Sequence, residues 1–344
     1  MVTRINLALQ GGGAHGAFTW GVLTRLLQED DLEFAAISGT SAGALNAAAL
    51  KSGWISGGRE GAIQNLAWLW EQVGALTDPF IAGWLDAAAP TVDFWAKSLK
   101  YSPAYVGFDM TTRMFSPYVY GDFARNPLER IVTQFHYDAV CAKGGPALYV
   151  GATNVRTGKI KLFSGDEISP EAIMASACLP SLFQAVEIED PATGKTEAYW
   201  DGGYTGNPAL FPLFEADLPD DILIVNINPL RRDALPTDSQ SIANRINEIS
   251  FNSSLLRELR AIAFVKRLIT EGAIKRGTMK DVLVHMISDD PLMNALNVAT
   301  KTIPAPVVLA RLKAAGEAAA ETFLSDHRKD LGKRSSLDLH AMFN

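Results

Sequence analysis

Two short apolar runs, each ending at glycines and each followed by apolar residues at helical spacing, constrain this chain more than any other feature. Ile5-Asn6-Leu7-Ala8-Leu9 reads as a buried strand. Gln10 and the run Gly11-Gly12-Gly13 follow it, and then Phe18, Val22, Leu23, Leu26 and Leu27 keep the spacing of a helix. The unit repeats at once, with Phe34 to Ser38 as strand, Gly39 to Gly43 as turn, and a helix rich in Ala and Leu to about Ser52. Tandem units of this kind need crossover connections. The expected fold is therefore α/β, a mainly parallel central sheet flanked by helices.

The remaining elements extend that frame. Ala147 to Asn154 and Lys159 to Phe163 form an expected hairpin through Thr157-Gly158. A short helix over 169–177, stopped by Pro180, leads to a second hairpin around Pro191 to Gly194, which delivers the chain to Trp200-Asp201-Gly202-Gly203. Ile222 to Ile227 and Asp281 to Ile287 read as strands. Between them, apolar residues at 242, 246, 249, 256, 259, 262, 265 and 269 keep a 3.6 period, so a long amphipathic helix or helix pair is expected. Residues 305–330 read as a final helix. From Trp54 to Tyr120 the texture differs, with Trp54, Trp68, Trp70, Trp84 and Trp95 and a stretch crowded with Tyr, Phe and Met. The organisation expected is one α/β domain over 5–230 and a mainly helical C-terminal extension over 236–344 packed on it.

Composition removes several classes of function. The 344 residues carry 31 Lys and Arg against 38 Asp and Glu, a net charge of −7, with no basic run, so nucleic acid is not expected as a partner. Cys141 and Cys178 can build neither a disulfide framework nor a four-cysteine zinc site, and a reducing, cytoplasmic compartment fits them. The apolar start is too short for a signal peptide, and no run approaches the ~18 apolar residues of a membrane span. Membrane contact is then expected to be peripheral, and no pattern assigns an oligomeric state.

Chemistry concentrates in four strings. Gly39-Thr40-Ser41-Ala42-Gly43 lies where a strand ends and a helix begins. A serine on such an elbow is exposed to substrate, small neighbours let the chain bend, and the helix N-terminus favours negative charge. Taken alone, the string reads equally as a helix start capped by Ser41. Gly11-Gly12-Gly13-Ala14-His15-Gly16 leaves backbone N–H groups bare for an anion, either a nucleotide pyrophosphate or the oxyanion of an attacked ester. A dinucleotide site wants an acidic residue closing the second strand, and Glu29, Asp30 and Asp31 precede that strand, which favours the oxyanion. None of the five histidines stands in the loop context of a triad. Asp201 is the better base, since a carboxylate before Gly202-Gly203 can be thrust from the sheet edge and gain basicity in a desolvated cleft. In isolation Asp-Gly is more simply a hairpin turn. Gly194-Lys195-Thr196 lacks the earlier glycine of a phosphate loop, and Cys178 has no flanking charge that would activate it.

In their order along the chain, Gly11 to Gly16, Gly39 to Gly43, Ala175-Ser176-Ala177-Cys178-Leu179-Pro180 and Asp201-Gly202-Gly203 resemble the patatin-like phospholipases over about residues 5–230. The resemblance implies a three-layer acyl hydrolase with a Ser-Asp dyad and no catalytic histidine. Ser41 would be the nucleophile, Asp201 the base, and Gly11, Gly12 and Gly13 the oxyanion hole. Gly39, Gly43, Gly202 and Pro180 would support the cleft. His15 departs from the Arg or Lys that relatives often carry there, which leaves the charge of the cradle pH-dependent. The implied substrate is a (lyso)phospholipid or related acyl ester, and the chemistry demands no metal or organic cofactor. On the same resemblance the segment from Trp68 to Tyr120 would be an acyl-binding wall or lid, against a plain reading as core. The alternatives are a lipid-binding or interaction protein that keeps the scaffold without turnover and, third, a dinucleotide-binding enzyme.

Overall fold

The computed structural model describes residues 2–77, 102–119, 125–191 and 193–343. Among the described residues eight strands make one sheet: β1 (Thr3–Leu9), β2 (Leu32–Thr40), β3 (Ala147–Asn154), β4 (Ile160–Ser164), β5 (Val186–Asp190), β6 (Lys195–Asp201), β7 (Asp221–Asn226) and β8 (Leu283–Ser288). Their order is β5-β6-β3-β2-β1-β7-β8, with β4 also paired to β3. The five strands β3, β2, β1, β7 and β8 are parallel, and β4, β5 and β6 add antiparallel hairpins at one side. This is the expected mainly parallel sheet.

Helices cover both faces: α1 (Gly16–Leu26), α2 (Ala42–Gly74), α3 (Pro103–Met114), α4 (Pro170–Ser176), α5 (Ser239–Thr270), α6 (Val298–Thr302) and α7 (Pro306–His327). Strand alternation sorts the core into two layers. Ile5, Leu7 and Leu9 of β1, with Leu223 and Val225 of β7, face α1, α2 and α7. Ala8, Ile222, Ile224 and Val284 face the other way, onto Leu255, Leu259 and Ile262 of α5.

Two elements differ from expectation. The helix after Ser41 runs a few residues past Ser52 and breaks at Gly57-Gly58, where Gly58 takes φ 62° and a second helical stretch continues to Gly74. The long helix α5 does not bury its whole apolar stripe: Leu259, Ile262 and Ile269 are covered, while Ile242, Ile246 and Ile249 face outward. The strand expected over Asp281 to Ile287 is β8, which pairs with β7, and the expected final helix is α7, which packs closely on α1. A Cβ at Gly316 would overlap the Phe18 carbonyl, and one at Gly21 the Lys313 carbonyl. Part of the aromatic segment Trp68 to Tyr120, including Trp84 and Trp95, lies outside the described residues. Its described end is exposed at Met110, Met114, Phe115, Tyr118 and Val119. Among the described residues no helix is long and apolar enough to cross a membrane.

Candidate active site

Because β2 ends at Thr40 and α2 begins at Ala42, a single residue makes the turn between them. Ser41 takes φ 54° and ψ −121°, and it is the only non-glycine with positive φ among the described residues. Such backbone costs on the order of 1–3 kcal/mol and persists only where its surroundings fix it. Here the Ser41 N–H donates to Ser176 Oγ at 2.9 Å, and the Ser176 hydroxyl donates to the Gly151 carbonyl at 2.7 Å. A Cβ at Gly43 would overlap the Leu9 carbonyl, so the helix can start here only if that position is bare. The resulting elbow presents a hydroxyl at a helix N-terminus.

Strand register brings Asp201 to this elbow. Strand β4 occupies one edge of β3, and β2 and β6 share the other, end to end. Thr40 pairs with Gly151 and Asp201 with Ala152, so the last residue of β2 and the last of β6 face consecutive positions of one strand. Gly202 presses against the join, where an added Cβ would overlap the Gly151 carbonyl and stand 2.9 Å from Thr40 Cγ2. The Asp201 backbone is fixed on both sides: its N–H donates to the Cys178 carbonyl at 2.8 Å, and its carbonyl accepts the Thr153 hydroxyl at 2.8 Å. Pro180 follows Cys178 in this supporting segment.

The carboxylate itself is only half satisfied. Oδ1 accepts the Gly203 N–H at 2.7 Å, whereas Oδ2 is buried without a hydrogen bond. Burial pushes the Asp201 pKa up to about 7, against the opposing pull of the Gly203 N–H and the nearby Ser41 hydroxyl. A carboxylate so poised can take a proton near neutral pH. Its neighbour Cys178 is buried and uncharged, its thiol pushed up to about 12 chiefly by desolvation, as its packing role requires.

The glycine run lies against the elbow, with an added Cβ on Gly11 only 2.7 Å from Ser41 Cβ. Asn207 Oδ1 takes the Gly11 N–H at 2.7 Å, so of the three expected amide donors Gly11 is already engaged and Gly12 and Gly13 follow it. His15 is buried, with Nε2 2.9 Å from Thr300 Oγ1. Desolvation, reinforced by Lys301 and Arg232, holds its pKa well below the usual value. The expected pH-dependent charge at His15 is thus corrected: the ring stays neutral.

Ser176, Asn207 and Asn228 were not singled out by their residue types, and all three hold the elbow or the glycine run. For Ser176 a signal was present, since it lies inside the string Ala175 to Pro180. A cavity of about 540 Å³ opens beside the site, lined in part by Arg125, Glu171, Met174, Cys178 and Phe183. Neither Ser41 nor Asp201 lines it. A second Ser-His-Asp alignment exists at the opposite end of the sheet: Asp221 Oδ1 lies 3.0 Å from His285 Nε2, and Ser336 Oγ lies 3.0 Å from His285 Nδ1. It has no glycine loop and no elbow. Among the described residues no cluster of His, Cys, Asp and Glu is arranged to hold a metal ion.

A family model described as Patatin-like phospholipase matches residues 7–216. VipD from Legionella pneumophila is similar in structure, with 15% identity and a TM-score of 0.40, over 94% of this chain and 67% of that one. The heterodimeric ExoU–SpcU complex from the type III secretion system of Pseudomonas aeruginosa is similar at 16% identity and a TM-score of 0.29. That match covers 95% of this chain, which spans only 61% of its counterpart. No curated protein matches by sequence.

Proposed function

Because this chain belongs to the patatin-like phospholipase family, we propose that it is a serine acyl hydrolase, cleaving fatty-acyl esters of (lyso)phospholipids or related lipids with Ser41 and Asp201. The observation that carries this reading is the meeting, on one edge of β3, of a strained serine elbow and a buried carboxylate with one free oxygen. Asp201 Oδ2 accepts the Ser41 proton as Oγ attacks the acyl carbon. The carbonyl electrons move to oxygen, and the N–H groups of Gly12 and Gly13 hold the anion, with Gly11 as their anchor through Asn207. Collapse expels the alkoxide, which takes the proton from Asp201. Water then attacks the acyl-enzyme, gives a proton to Asp201, and releases the fatty acid as Ser41 recovers its own. Oxyanion donors of this kind are typically worth about 3–4 kcal/mol each.

The substrate class is supported by apolar surface that a lipid would cover. Ile242, Ile246 and Ile249 on α5, and Met110, Met114 and Phe115 at the end of α3, are exposed. Peripheral contact with a lipid surface is part of the proposal. The deciding experiment is labelling with a fluorophosphonate, followed by peptide mapping. Adduct on Ser41, and ester hydrolysis lost in a folded Ser41→Ala chain, are expected with EDTA present. An unlabelled Ser41 would leave the alternative, a lipid-binding protein without turnover.

A further inference from the structure

Behind the glycine loop the C-terminal region delivers a group of charges that the dyad does not use. Lys301, on α6, sits against the loop: an added Cβ on Gly13 would overlap the Lys301 carbonyl and lie 3.6 Å from its Cβ. Its side chain is 19% exposed, and Nζ donates to Asn228 Oδ1 at 2.9 Å. Asn228 Nδ2 in turn donates to the Gly11 carbonyl at 2.7 Å. That carbonyl belongs to the same peptide group as the Gly12 N–H. The chain from ammonium to amide to peptide is therefore continuous, and each hydrogen bond in such a chain polarises the next.

The charges around it are unbalanced. Arg232 and Arg245 both reach Glu248, a fully buried carboxylate, at 2.7 and 3.3 Å, and Lys301 Nζ stands 4.0 Å from the same group. Three cations thus face one anion, and His15, the remaining titratable neighbour, is neutral. The surplus is positive and lies behind the amides that would hold a negative oxygen. Asn252 and Ser254 on α5 complete the support, the former accepting from Gln10 at 2.8 Å and the latter accepting the Asn207 N–H at 3.1 Å.

We propose that Lys301 is a positioning residue of the hydrolase reaction, acting through Asn228 and the Gly11 carbonyl to polarise the Gly12 N–H toward the oxyanion. The proposal rests on the Ser-Asp reading of the site. It also gives the C-terminal region a part in turnover, because the polarising charge arrives from beyond the family-matched residues. Burial lowers the Lys301 pKa to about 8, the first cause being desolvation, with Glu248 opposing and Arg232 adding to the fall. The ammonium is thus charged below that pH and lost above it, and turnover should fall on the alkaline side with it.

The test is steady-state hydrolysis of p-nitrophenyl butyrate by the full chain, from pH 5 to 10, in wild type, Lys301→Met, Lys301→Arg and Asn228→Ala. Met at 301 should lower kcat about tenfold or more, with KM within about twofold, because the oxyanion exists only after attack. Its alkaline limb near pH 8 should vanish. Arg should restore most of kcat and move the limb beyond pH 10, and the loss in the double variant Lys301→Met/Asn228→Ala should not exceed that of the single ones, since both break one chain. A folded Met variant with wild-type kcat overturns the proposal. So does a loss confined to KM, or a wild-type profile without an alkaline limb. That last readout needs no variant, so misfolding of a substituted chain leaves the proposal open to refutation. Failure of the Ser-Asp reading is separately visible, as absence of the fluorophosphonate adduct from Ser41 in the unaltered chain.

Discussion

Asp201 and Asp221 are both buried aspartates, each at the end of a strand of the same sheet and each near a serine, yet their bonding differs. Asp221 Oδ1 receives the Gly332 N–H at 2.8 Å and faces His285 Nε2 at 3.0 Å, while the other ring nitrogen reaches Ser336. Asp201 receives the Gly203 N–H on one oxygen, and its second oxygen makes no full hydrogen bond, with only the nearby Ser41 hydroxyl acting on the carboxylate. The satisfied group closes the C-terminal segment 332–337 onto β7 and β8, where Leu337 N–H also bonds the Val284 carbonyl. The unsatisfied group keeps a lone pair for a proton. A familiar set of three residue types therefore says less about chemistry than the count of bonds left unmade, since each unmade buried bond is costly and persists where something requires it.

The sharpest way to break that contrast is to exchange each carboxylate for its amide. Asp201→Asn keeps the shape and the bond to Gly203 but removes the base, and it should lower kcat for ester hydrolysis at least about 10³-fold in a folded chain. Asp221→Asn, compared at equal folded fraction, should stay within about threefold of wild type. If the two variants lose turnover alike, the division between a working and a structural aspartate fails.

Asp201 also predicts a pH dependence with opposite signs for activity and stability. Since its folded pKa is raised to about 7, kcat/KM should fall about tenfold per pH unit below that value, where the base is protonated. For stability, a carboxyl raised from 3.8 to about 7 favours the folded state at low pH and loses that contribution as pH rises through 7. At pH 8.5, then, Asp201→Asn should be more stable than wild type in urea, by at most about 4 kcal/mol at 1.36 kcal/mol per pKa unit; at pH 5 the gap should shrink to less than half of that, and it should close only below the unfolded pKa of 3.8. Equal midpoints at both pH values would show that burial imposes no cost on this carboxylate. At the other end of the sheet the sign reverses: Asp221→Ala leaves His285 Nε2 and the Gly332 N–H unpaired in the interior and should cost about 3 kcal/mol.

Why one aspartate could be read from the sequence and the other could not follows from the range of the signals involved. The glycine turns, the two hairpins and the elbow are local patterns of apolar period and bare backbone, and they single out Ser41, Asp201 and the glycine loop as candidates. The bonds of Asn207, Asn228 and Lys301 to that loop join distant segments through single polar side chains, and such pairs leave no period to read. The same limit applies to α5. A 3.6 period marks a face but does not say what covers it, and the cover stops short of Ile242, Ile246 and Ile249. Gly53 is a further case, since the Gly61 carbonyl packs where its Cβ would be, a contact that the residue type alone does not announce.

The smallest effect sought is at Ser336, and it bears on whether a hydroxyl beside a histidine is enough to make a nucleophile. Ser336 lies in the loop before the last helical turn, with ordinary backbone, no glycine run beside it and a hydrogen bond to His285 Nδ1. Its neighbour Ser335 Oγ accepts the Val284 N–H at 3.1 Å, so two adjacent hydroxyls dock this segment on β8. Ser336→Ala should therefore cost about 1 kcal/mol, the net worth of one hydrogen bond, and leave ester hydrolysis unchanged. In the intact chain the fluorophosphonate adduct should map to Ser41 alone. Adduct on Ser336 would mean that the histidine activates its serine without an elbow or a set of amides, and the distinction drawn between the two aspartates would no longer follow from bonds left unmade.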